Sequence, residues 1–95
     1  RQQAGFVYSN EADLLNVALF GITAKIWKES NPNQKGNIRD YATLEQLVVL
    51  SNMESINALL IGQGLSQSDR LVQLNKVAIT QMKSLLESNS MKKLK

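Results

Sequence analysis

Cysteine and histidine are both absent from the 95 residues. Without cysteine there is no disulfide and no thiolate chemistry, and a reducing compartment, the cytoplasm, is the expected location. Without histidine the chain has neither the commonest general base near neutral pH nor the usual borderline metal ligand. Long apolar runs are missing too: Ala58 to Ile61 is as long as they become, far short of the roughly 18 residues of a membrane span. Acids are fewer than bases, 8 against 11, for a net charge of +3. Proline occurs once, as Pro32, so helices are interrupted by rule at one place only.

What is present is a helical pattern around a polar joint. At this length the chain makes one domain with an adequate core. Ser9 and Asn10 are capping residues, and Glu11 and Asp13 put negative charge on the first turn that follows, where the helix dipole favours it. Leu14, Leu15, Ala18 and Leu19 continue at helical spacing, and Gly21 closes the segment. Thr23 caps a second short helix that must stop before Pro32. A helix-turn-helix is a poor description of this pair, because the small residue Ala18 precedes Gly21 by three positions where that motif needs four, and only Lys25 and Lys28 stand out as base-reading side chains. Trp27 reads as a helix-packing anchor.

Beyond the joint, Thr43-Leu44-Glu45-Gln46 is a capping box that opens a third helix. Its apolar residues, including Leu44, Leu47, Val48, Met53 and Leu59, sweep round several sides, which predicts a central helix covered on more than one face and ending near Gly62 or Gly64. Ser66-Gln67-Ser68-Asp69 repeats the cap and opens a long fourth helix. Leu71, Leu74, Ala78, Met82 and Leu85 form one row on it, and Val72, Ile79 and Leu86 form a second at seven-residue spacing. The same broad face suits pairing between chains, but about five turns of seam is short for a free-standing coiled coil. Both rows are therefore expected to pack within the domain, against an antiparallel neighbour reached by a tight hairpin. The fold class is therefore all-α: a small bundle of four to five helices with two long antiparallel helices at the carboxyl end. Residues 1–8 are expected to form an extended arm, 31–42 a polar connector and 88–95 a basic tail. The opening Arg1-Gln2-Gln3 reads as a cut, so the domain is expected to be a fragment of a longer protein.

Chemistry has few places to sit. Glycine-rich phosphate loops and metal-spaced ligands do not occur. Glu11 with Asp13, and Asp40 with Glu45, are explained by capping duties. No catalytic, cofactor-binding or metal-ligating residue is therefore assigned, no cofactor or small-molecule substrate is implied, and an enzyme is not expected. The joint from Asn31 to Tyr41 holds the groups least needed for helix building. Asp40 is expected to pair with Arg39 or cap the third helix, and Tyr41 to pack beneath that helix. Lys25, Lys28, Lys35 and Arg39 face only Glu29 in opposite charge within their stretch and are the candidate contacts for an anionic partner. A second basic stretch, Arg70 to Lys95, holds six cations against Glu87. Such asymmetry suits a polyanion and equally a solvated helix face.

Asn16-Val17-Ala18-Leu19-Phe20-Gly21-Ile22-Thr23-Ala24-Lys25, then Lys35-Gly36-Asn37-Ile38-Arg39-Asp40-Tyr41-Ala42, Leu47 through Asn57, and Gly64-Leu65-Ser66-Gln67 together resemble the helical region that follows the KilA-N domain in phage and bacterial KilA-N proteins. The resemblance runs from about Phe6 to Leu86. It implies a phage-derived, DNA-binding regulatory parent whose nucleic-acid contacts belong to the KilA-N domain itself, so no binding residue of that domain transfers to a position here. The implied role is an accessory module for self-association or for docking a protein partner. The alternative is direct, non-sequence-specific nucleic-acid binding through the basic patches.

Overall fold

Every helix start that can be read from a short polar side chain is present in the computed structural model, which describes residues 8–94, the side chains of 89–94 excepted. Helix α1 (Glu11–Phe20) begins where Asn10 Oδ1 accepts from the Asp13 amide at 2.8 Å. It ends at Gly21, whose φ of 86° is a left-handed cap that glycine adopts without strain. Helix α2 (Ala24–Ser30) begins at Thr23, whose hydroxyl accepts from the Ile26 amide, and it stops short of Pro32. A 3-10 turn (Ile38–Tyr41) follows. Helix α3 (Leu44–Gly62) then opens on the full reciprocal box between Thr43 and Gln46. Helix α4 (Gln67–Leu94) starts with Ser66 Oγ accepting from the Asp69 amide. It carries on through residues expected to be a tail. The chain is thus all-α among its described residues, and none of these helices is long and apolar enough to cross a membrane.

A tight turn closed by the Gly64 amide on Ile61 and the Leu65 amide on Leu60 sends α4 back along α3. Asn52 Nδ2 donates to Gln81 Oε1 at 2.9 Å, and Val48 borders Leu85, a register that makes the pair antiparallel. Helix α1 lies across both, so the core is a three-helix affair. Leu14, Val49, Met53 and Leu74 are fully buried at its centre, with Leu50 and Ala78 beside them. Truncating Met53 to alanine there would cost about 2–5 kcal/mol. Val49 falls outside the apolar pattern expected for α3, yet it is among the most deeply buried residues.

The third helix is covered on more than one face, by α1 and by α4, as its pattern suggests. Its coverage is incomplete, with Leu44 74% and Leu59 61% exposed on the side these helices leave open. The two apolar rows of α4, against expectation, part company. Leu71, Leu74, Ala78, Met82 and Leu85 turn inward, but Val72, Ile79 and Leu86 remain 55%, 61% and 52% exposed. A seven-residue repeat drifts by only about 20° per heptad along a straight helix, so these three form a row on the outer face.

Candidate functional site

The polar joint is built mainly from bonds to its own backbone. Asn31 ends α2, its amide donating to Lys28 and its side-chain amide to the Trp27 carbonyl at 2.8 Å. Gln34 donates back to the Asn31 carbonyl across Pro32, and the Lys28 ammonium donates to the Gln34 carbonyl. Gly36 then takes a φ of 83°, and a Cβ at that position would collide with the Asp40 carboxylate. Close approach and left-handed backbone both require glycine.

Asp40 does not launch α3. Its carboxylate accepts from the Asn37 amide at 2.9 Å while Asn37 Oδ1 accepts from the Arg39 amide at 2.9 Å, a reciprocal cap on the 3-10 turn. Thr43 is the residue that starts the long helix. Tyr41 does not pack beneath α3 either: it is half exposed, its hydroxyl donates to the Lys35 carbonyl at 2.8 Å, and its ring lies 5.2 Å from that of Trp27 at a 34° tilt. Trp27 is therefore an anchor for the joint, on a helix with no buried residue. Ile38 is the buried peg of the turn.

Arg39 joins this turn to the bundle. Its Nε donates to Asn16 Oδ1 of α1 at 3.1 Å and one terminal nitrogen reaches Glu54 of α3 at 3.5 Å, while the other is buried without a partner. Hollows of about 290 and 260 Å³ lie on either side of it. The candidate cations do not share one cavity. Lys25 is exposed and borders a separate hollow of about 440 Å³ with Ile22, Ile26 and Glu29. Lys28 is engaged by the loop carbonyl, and Lys35 is exposed where the loop turns. Of the four, Lys25 and Lys35 stand exposed, Lys28 is held by the loop and Arg39 is committed to the scaffold.

A second polar centre lies at the start of α4. Arg70 is buried, with its NH1 2.5 Å from Glu11 Oε1 and 2.9 Å from Asn57 Oδ1, and its Nε donates to the Leu65 carbonyl at 3.1 Å. Asn57 in turn donates to the same Glu11 oxygen at 2.9 Å. The Arg70 hydrogen bond, with help from Asn57 and against some desolvation, holds the Glu11 carboxyl below its ordinary pKa. Gln67, one turn earlier, clasps Tyr8 from both sides, accepting from its amide and donating to its carbonyl. Arg70 is thus removed from the second basic stretch. Its role was invisible from spacing because its partners lie 59 and 13 residues away.

No three histidine, cysteine or acidic residues among those described gather into a metal-sized cluster. Glu11 and Glu54 are in ion pairs and Asp40 is in a cap, while apolar side chains stand exposed on α3 and α4. Comparison of the chain with protein-family models, with curated proteins and with solved structures finds no match to any of them.

Proposed function

We propose that the chain is an accessory interaction module of a cytoplasmic, DNA-binding regulatory protein of the KilA-N type, serving assembly or partner docking and not catalysis. The observation that carries this reading is the exposed aliphatic surface: Leu44 and Leu59 on α3, and Val72, Ile79 and Leu86 on α4. Scattered exposed leucines are ordinary, but a repeat held near one bearing along a helix marks a surface made for another helix. The family half of the proposal rests on the sequence words around the joint.

The alternative, direct binding to a nucleic-acid backbone, rests on the two basic stretches, in which Lys25 and Lys35, and Lys76 and Lys83, are exposed. It is the weaker reading because Arg39, Arg70 and Lys28 each satisfy groups inside the chain, so these three are not available to displace counterions from a phosphate backbone. The test compares the parent protein with and without this segment for assembly size, partner retention and duplex-DNA affinity. Removal is expected to reduce assembly or partner binding and leave per-site DNA affinity unchanged. A fall in DNA affinity with assembly and partner binding intact would overturn the proposal in favour of the alternative.

A further inference from the structure

The outer face of α4 carries an apolar row with charge along one edge only. Val72, Ile79 and Leu86 repeat every seven residues, a row of about 21 Å at 1.5 Å per residue. Between Val72 and Leu86 the only charged residues on the helix are Lys76 and Lys83, both exposed. Each lies four residues after one rung and three before the next, so both flank the same side of the row. The other side is bordered by Asn75, whose side chain donates to the Ala18 carbonyl, and by half-buried Met82. Asp69, exposed three residues before Val72, heads the lysine side. The row is thus apolar at its centre, carries one acid and then two lysines along one edge, and is uncharged along the other.

From this arrangement we propose that the outer face of α4 docks an acidic amphipathic helix of a protein partner, one with an aliphatic residue every seven positions and carboxylates along one edge. The inference rests on the reading of the chain as an interaction module and specifies the partner's chemistry. A second copy fits less well. Paired antiparallel with all three rungs covered, it sets Lys76 and Lys83 against their own counterparts, and paired parallel it sets them against Asn75 and Met82. Asp69 of the copy comes level with Lys83 only in an antiparallel register slipped by one heptad, which leaves Leu86 beyond the start of the copy's helix. A nucleic-acid backbone would answer the lysines but leave three aliphatic side chains uncovered. A helix answers both, because only an element with the same period covers every rung.

The test uses the whole chain and three synthetic helical peptides of three heptads: one with leucine rungs and a glutamate edge, one with the same rungs and a lysine edge, and one with the glutamate peptide's composition in scrambled register. Fluorescence anisotropy at low salt is expected to show binding of the glutamate peptide, roughly 2- to 30-fold tighter than the lysine peptide, as two exposed ion pairs allow. The scrambled peptide should not bind. Ile79→Lys, at an exposed site where helicity should persist by circular dichroism, is expected to weaken binding about tenfold or more. The double variant Lys76→Glu with Lys83→Glu should reverse the preference to the lysine peptide. Equal binding of the two charged peptides, or binding lost with Leu59→Lys and kept with Ile79→Lys, would overturn the assignment to α4 while leaving an interaction module standing. Self-association abolished by Ile79→Lys, with no peptide bound, would assign the row to a second copy and overturn the acidic partner. A strict monomer that binds no peptide and binds duplex DNA would overturn both this inference and the interaction module.

Discussion

Two arginines tie this molecule together, and they do so under opposite conditions. Arg70, at the start of α4, has a side chain only 8% exposed and meets Glu11, Asn57 and a backbone carbonyl. Arg39, in the joint, has a side chain 30% exposed, a longer ion pair to Glu54 and one buried nitrogen left unpaired. Each links α1 to α3 through one asparagine and one glutamate. The difference lies in what remains when the cation is lost. Around Arg70 the buried Asn57 oxygen and the Leu65 carbonyl would both lose their donor. Around Arg39 the buried Asn16 oxygen would lose its donor too, but the unpaired Arg39 nitrogen leaves with the side chain and the half-exposed Glu54 can return to water. A buried cation is costly to remove because its partners stay buried, not because the pair itself is strongly favourable.

The sharpest way to break this comparison is to truncate both. Arg70→Ala is expected to lower stability by about 2–4 kcal/mol, below the full loss for a buried pair because Glu11 is partly hydrated already. Arg39→Ala is expected to cost only about 0.5–1.5 kcal/mol. Urea unfolding followed by circular dichroism measures both, and equal losses would show that burial does not separate the two sites. Within the joint, Gly36→Ala is expected to cost about 1–3 kcal/mol, from left-handed backbone and a displaced Asp40 cap. That loss should shrink when Asp40→Ala is already present, since the carboxylate the new Cβ would strike is then gone.

The parts of the fold legible in the sequence were those written locally. Asn10, Thr23, Thr43 with Gln46, and Gly21 each act within four residues of themselves, so their types and spacing suffice to place helix ends. Distant pairing left no such trace. Arg70 looks like any basic residue near a helix start until the fold brings Glu11 beside it across 59 positions. Tyr41 followed by a helix looks like a packing residue, yet Trp27 and the Lys35 carbonyl compete for it more successfully than α3 does. Periodicity likewise identified both apolar rows of α4 but not their fates, because a row's bearing says that something covers it and not whether that something belongs to the same chain. The joint's cations were the reverse case: visible as a cluster in sequence, they divide in space between loop bonds, a scaffold bridge and open surface.

The comparison can be sharpened most finely through pH. Arg70 lowers the Glu11 pKa below its ordinary carboxylate value, so the folded state holds this group ionised at acidities where the unfolded chain protonates it. The stability it supplies is therefore fully present above the ordinary pKa and declines as pH falls through the lower folded value. Glu11→Gln removes the carboxylate and with it this part of the acid dependence, while leaving an oxygen to accept from Arg70. The variant is expected to be less stable than the wild type near pH 7, and the gap should narrow as pH falls through the folded pKa of Glu11. Since the Glu11 side chain is 44% exposed, solvent screens the effect and the narrowing should be modest. Thermal unfolding of both proteins across that range measures it. A gap constant with pH would mean that Arg70 holds Glu11 through geometry alone, and would place the Arg70 site closer in character to the solvated Arg39 bridge.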